Sequence, residues 1–113
     1  MLDNVMTLIE DIKADYFNYT SRNGTRELTD INKRMIAEFN EGLGYVVGSK
    51  YVKITKDNNG SVWGFVVKGD NDKKFKKGDI LKAASWATPA RNHPRGNIIE
   101  GEYGIQWTGP HYM

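Results

Sequence analysis

The first forty residues alternate apolar and polar positions with a helical period. Leu2, Val5, Met6, Ile9, Ile12 and Tyr16 recur at steps of three and four, which predicts an amphipathic helix from about residue 3 to 18, with Asp3 placed to cap its first turn. Glu10, Asp11, Lys13 and Asp15 fall on its solvated side. Ser21-Arg22-Asn23-Gly24 interrupts the pattern, because Asn-Gly favours a tight turn. A second helix follows, with Thr25 or Thr29 as N-cap and Leu28, Ile31, Met35, Phe39 and Leu43 on one face. Gly42 and Gly44 are expected to stop it through left-handed backbone.

From Tyr45 the period changes to two and β-branched residues accumulate. Tyr45–Val47, Tyr51–Lys56 and Ser61–Lys68 are predicted strands. Asp57-Asn58-Asn59-Gly60 is the hairpin between the last two. Gly64 inside a strand predicts a bulge or the close approach of another backbone. Gly69–Asp72 makes a further turn, and Lys77-Gly78-Asp79 delivers a strand from Ile80 to Trp86. A proline-bounded loop spans Thr88 to Pro94, and Tyr103–Trp107 is the last strand. Helices first and about five short strands after predict an α+β fold: two N-terminal helices packed on a curled antiparallel sheet or a small SH3-like β-barrel. Val5, Ile9, Ile12, Ile31, Met35 and Phe39 are the side chains expected to join helices to sheet.

At 113 residues the chain has room for one domain, since single cores form from roughly 100–150 residues. The segment 1–43 is the helical part and 44–113 the β part. There is no cysteine, which excludes disulfides and thiolate metal sites. The N-terminus lacks the basic start of a secretory signal, and no apolar run approaches the ~20 residues needed to cross a bilayer. A soluble, cytoplasmic protein is expected.

The net charge of +2 conceals an asymmetry. Residues 1–43 carry five basic and eight acidic side chains, or −3, and residues 44–113 carry eleven basic and six acidic, or +5. The second half is therefore the one suited to an anionic partner. Its charge is densest in Lys73, Lys74, Lys76 and Lys77 around Phe75, and Arg91, His93 and Arg95 follow after a single predicted strand. Together with Trp86 these residues form the candidate binding face. Trp63, Trp86, Phe75 and Tyr103 are candidates for stacking on bases. Arg95, held between a proline and a strand start, is equally suited to reaching back onto carboxylates or carbonyls of its own fold.

Catalytic chemistry finds little support. His93 and His111 lack short ligand spacing, even with Glu100 or Glu102 as a third ligand, so no metal is expected. Ser85 and His93 lack the glycines of a nucleophile elbow. Asp57, Asp70, Asp72 and Asp79 are turn residues, and no phosphate-cradling glycine pattern occurs. No catalytic residue and no cofactor is expected.

Three motifs, Trp86-x-x-Pro89-Ala90, Arg95-Gly96-Asn97-Ile98 and Trp107-Thr108-Gly109-Pro110-x-Tyr112, are similar to the C-terminal stretch of small uncharacterised proteins encoded by tailed bacteriophages. The likeness covers about the last thirty residues. It implies an accessory protein made in the cytoplasm of an infected cell, non-enzymatic, and binding a host protein. The alternatives are a nucleic-acid-binding small barrel that uses the basic face, and a minor virion component. The tail also predicts that Trp107 and Tyr112 tuck against the mouth of a barrel and order the C-terminus.

Overall fold

The structure, a computed structural model, describes residues 1–22 and 27–110. The turn expected at Asn23-Gly24, the alternative cap Thr25, and His111 and Tyr112 lie outside the described residues. Among the described residues two helices, α1 (Leu2–Ser21) and α2 (Asp30–Gly42), precede eight strands. Four of these form an antiparallel sheet in the order β1 (Gly44–Val47), β2 (Tyr51–Lys56), β3 (Ser61–Val67), β4 (Ile80–Lys82). Two short ribbons complete it: β5 (Gly96–Asn97) with β6 (Glu102–Tyr103), and β7 (Ile105–Gln106) with β8 (Gly109–Pro110). The fold is α+β, and the four-stranded sheet is open, not closed into a barrel.

The sheet is built around β3. Trp63 to Val67 are all buried, so both of its faces need cover. Between Ile54 and Thr55 the β2–β3 register shifts, pairing Ile54 with Gly64 and Thr55 with Val62. Trp63 is thus an extra residue, and the bulge turns it onto the same face as Val66. There Val5, Leu8, Ile9 and Ile12 of α1 pack on Val52, Ile54, Trp63, Val66, Ile80 and Ile98. On the opposite face Phe65 and Val67 cluster with Phe75 and Leu81, flanked by Tyr51, Val62 and Ala83. Gly64 combines both expected roles: it adjoins the bulge, and a Cβ there would sit 2.9 Å from Pro110 Cγ and 3.0 Å from the Leu81 carbonyl oxygen.

Helix α1 departs from expectation at both ends of its polar side. Its N-cap is Met1 without a side-chain cap, and Asp3 lies inside the first turn, where its charge complements the helix dipole. Asp11 and Asp15 are not simply solvated. Asp11 accepts from the Tyr103 hydroxyl and Asp15 from the Trp107 amide at 2.9 Å. These carboxylates tie the first helix to the end of the chain.

Helix α2 is capped as predicted at Thr29, whose side chain accepts from the Asn32 amide at 3.1 Å while Asn32 Oδ1 accepts in return from the Thr29 amide. Its burial differs from the prediction. Phe39 stacks on Tyr16 at 4.2 Å between ring centroids and meets Trp107 edge-on at 5.9 Å, but Ile31 is 66% and Met35 45% exposed. The helix is held through its last turns, and its first turns lie off the sheet because α1 already occupies that face. Its end is extended, with Leu43 at φ −78°. Neither Gly42 nor Gly44 is left-handed. Gly42 is needed instead for contact, since its carbonyl accepts from the Asn58 amide at 3.1 Å and a Cβ would meet the Asp57 amide nitrogen at 3.1 Å.

The hairpin at 57–60 is present, with Asp57, Asn58 and Asn59 all at positive φ. The strand expected from Ile80 to Trp86 stops at Lys82. Thr88's carbonyl accepts from the Ala84 and Ser85 amides, and the Ser85 hydroxyl accepts from the Ala87 and Thr88 amides, which winds 84–88 into a turn. The strand expected over Tyr103–Trp107 is two, since Tyr103 pairs with Gly96 and Ile105 with Pro110. Trp107 packs on Tyr16, Tyr19 and Phe39 of the helices, not at a barrel mouth.

Ile12, fully buried, and Ile31 thus test which helix covers the sheet. Ile12→Ala should lower the unfolding free energy by about 2–5 kcal/mol, whereas Ile31→Ala should change it by less than about 0.5 kcal/mol. Equilibrium denaturation of both variants checks this, and equal losses would show that α2 is packed along its length.

Candidate binding surface

The basic segments meet, and the reason lies in the backbone. Because β4 ends at Lys82, the chain folds back through a bridge between Ala83 and Pro89, and the Ala90 amide donates to the Lys82 carbonyl at 2.7 Å. Arg91 is thereby returned to the start of the lysine run. Lys74 Nζ donates to the Arg91 carbonyl, and Arg91 donates to Asp72 at 2.9 Å and to the Tyr51 hydroxyl. The Arg91 guanidinium also lies 4.9 Å from the Phe75 ring centroid, a cation–π distance.

Only part of the predicted face is present as a face. Lys73, Lys74, Lys76, Lys77, Arg91 and His93 are exposed, and Trp86 is 51% exposed at the tip of the 84–88 turn. Phe75 is buried in the second apolar cluster, its four lysine neighbours standing around a ring that points inward. Lys76 is spent on Glu100. Arg95 is 4% exposed, with its Nε donating to the His93 carbonyl at 3.3 Å, so it serves its own fold. Of the stacking candidates, Trp63 is buried with its indole N–H on the Gln106 carbonyl at 2.8 Å, and Tyr103 is committed to Asp11.

The Arg95-Gly96-Asn97-Ile98 motif is a structural hub. Asn97 Nδ2 donates to the Lys77 carbonyl and to Asp79, both at 2.9 Å, and its Oδ1 accepts from the Ile99 and Glu100 amides at 2.8 and 3.0 Å. Gly96 sits at φ +124°, and a Cβ there would be 2.3 Å from that of Tyr103. Glycine is obligatory at this crossing.

Two adjoining hollows flank the part of the face that remains. One, of about 430 Å³, is lined by Ser49, Lys50, Val67, Gly69, Asn71, Asp72, Lys73 and Arg91. The other, of about 340 Å³, is lined by Val46, Lys53, Phe65 and Ala87 among others and shares Ser49 and Lys50 with the first. Lys53 Nζ stands 4.1 Å over the Trp86 ring centroid. Lys50, Lys53 and Asp72 were not among the residues expected here. For Lys53 the signal is the strand period: Tyr51 and Lys53 alternate with buried Val52 and Ile54, so they occupy the face opposite α1; Lys50 and Asp72 lie outside the strands, and no local pattern marks them. A larger, more open hollow of about 670 Å³ between Asp15, Tyr19, Arg22 and Trp107 belongs to the packing of α1 on the C-terminal segment. Among the described residues no group of three or more histidines, cysteines or carboxylates is placed to hold a metal ion. No helix among them is long and apolar enough to cross a membrane.

The model of a family of unknown function, DUF7717, matches residues 1–113. The chain belongs to DUF7717. No curated protein and no solved structure matches it.

In this DUF7717 protein the anchor of the surface is Asp72. The Arg91 guanidinium, helped by the Lys74 and Phe75 amides, holds its carboxyl well below the usual carboxylate range. Arg91 is held charged by the same pair. A folded-state value depressed below the unfolded one stabilises above the ordinary carboxylate pKa of about 4 and is lost as the pH falls further. Asp72→Asn should therefore melt below the parent protein at neutral pH and converge with it in acid. Thermal melts from pH 7 to about pH 2 check this, and a gap that persists in acid would assign the effect to packing.

Proposed function

We propose that this protein is a non-enzymatic binding module that takes an acidic segment of a partner protein against the surface formed by Lys50, Lys53, Lys73 and Trp86. The observation that carries the proposal is Trp86, a half-exposed aromatic on a hydrogen-bonded turn beside hollows edged by cations. A single anchored tryptophan with a charged rim is the composition of a protein-binding hot spot. Binding of single-stranded nucleic acid uses successive aromatic platforms along a basic track. Here Trp63 and Phe75 are inside the core, and Lys76 and Arg91 are already paired with Glu100 and Asp72. The remaining charge suits a few carboxylates better than a run of phosphates. The likeness of the C-terminal motifs to bacteriophage proteins supplies the setting of the proposal, a host protein in the infected cell.

Lys50→Glu with Lys73→Glu, and separately Trp86→Ala, should leave the melting temperature nearly unchanged, because exposed side chains contribute little. Each should weaken partner binding about ten-fold or more. Affinity capture from lysate, with and without nuclease and followed by titration of the captured protein, is the test. Capture that is lost with nuclease, or an affinity falling by about 0.7–0.9 in log K per contact per decade of salt, would replace the protein partner with nucleic acid.

A further inference from the structure

We infer that the open edge of the four-stranded sheet pairs with a second copy of itself, β1 against β1 across a two-fold axis. The inference does not rest on the proposed binding function, although Val46 also lines the smaller of the two hollows. It starts from the two edges of the sheet. At β4 the outward carbonyls of Ile80 and Lys82 accept from the Arg95 and Ala90 amides, both at 2.7 Å, so that edge is closed by the chain itself. At β1 no described residue plays that part.

The phase of the hairpin shows which groups of β1 are open. The Gly48 amide donates to the Tyr51 carbonyl at 2.8 Å, making Gly48 and Tyr51 a hydrogen-bonded pair. Antiparallel pairs alternate, so Val46 with Lys53 is the next bonded pair, and Tyr45 and Val47 direct N–H and C=O away from β2. The bond from the Lys68 amide to the Lys50 carbonyl on the other side of β2 has the same phase.

One register satisfies all four open groups. Tyr45 pairs with the partner's Val47, Val47 pairs with the partner's Tyr45, and Val46 meets the partner's Val46 on the axis. The side chains agree with it: two aromatic–β-branched pairs form on the α1 side and a Val–Val pair on the other, combinations that stabilise antiparallel sheets. Tyr45, Val46 and Val47 are 38%, 50% and 47% exposed. Natural edges are guarded by lysine, proline or bulges, and Gly44–Val47 has none of these. No charge is brought opposite a like charge. Lys53, which flanks Val46, is three strand spacings from its symmetry mate, roughly 14 Å, beyond the ~8 Å Debye length at physiological salt. The absence of any cation within β1 also favours a second copy over an acidic peptide. The contact is small, so a reversible dimer is expected at micromolar to submillimolar concentration.

Sedimentation equilibrium of the purified protein over that range should show the mass rising from monomer to dimer. Hydrogen exchange should slow at the Tyr45 and Val47 amides as concentration rises, while the Val46 amide, already bonded to β2, stays unchanged. Val46→Lys, which sets two ammonium groups face to face on the axis, should remain monomeric with an unchanged melting curve. The wild-type exchange measurement decides the matter even if that variant fails to fold. A protein that stays monomeric throughout, a dimer that survives Val46→Lys, or a dimer that leaves the Tyr45 and Val47 amides exchanging freely would overturn the inference.

Discussion

A strand buried on both faces has to be covered twice, and that constraint on β3 organises this molecule. Trp63, Val66 and Gly64 need one roof, and Phe65 and Val67 need another. The first roof is a regular element, α1. The second is almost entirely loop, the excursion from Gly69 to Pro94 that brings Phe75 down onto the sheet. A loop can serve as a roof only if its own polar backbone is satisfied. Asp72, Ser85, Thr88, Asp79 and Asn97 do that, each accepting or donating to backbone within a few residues or across a turn.

The candidate surface is a by-product of that second roof. Fixing Phe75 inside leaves its lysine neighbours outside, and closing the 84–88 turn leaves Trp86 at its tip. The same Asp72 that turns the backbone at Lys74 and Phe75 also receives Arg91. Fold stabilisation and surface chemistry therefore share side chains here, and charge density along the chain overstates how much charge is available for recognition. Lys76 shows this most clearly, since Glu100 raises its pKa by claiming its ammonium group.

What was legible in the chain follows from range. The Thr29 cap, the hairpin at 57–60 and the special demand at Gly64 are local patterns found in place, and so are Val5, Ile9, Ile12 and Tyr16 of the α1 stripe, whereas Leu2 and Met6 are exposed and Leu8, left out of the stripe, is fully buried. Helix α2 shows the limit of periodicity: Ile31 and Met35 mark an apolar face, but no local rule tells whether a surface is left to receive it. Tyr103–Trp107 has the composition of one strand and is divided because its two halves are claimed by Gly96 and Pro110. Phe75, ringed by lysines, resembles an exposed tip until the contacts of β3 are known. Asp11 and Asp15 sit on the polar side of a helix as expected, and nothing near them announces their partners.

Those partners lie 92 residues further along the chain, where Tyr103 and Trp107 bind Asp11 and Asp15. At a synthesis rate of roughly 5–20 residues per second, the ribosome takes roughly 5–18 s to cover the 92 residues from Asp15 to Trp107. For almost all of that interval α1 is already made, yet its seat is incomplete: Val5, Leu8, Ile9 and Ile12 wait for Val52, Trp63, Ile80 and finally Ile98 to appear. The apolar side of α1 thus stays unsheltered during synthesis until almost all of the sheet has been translated.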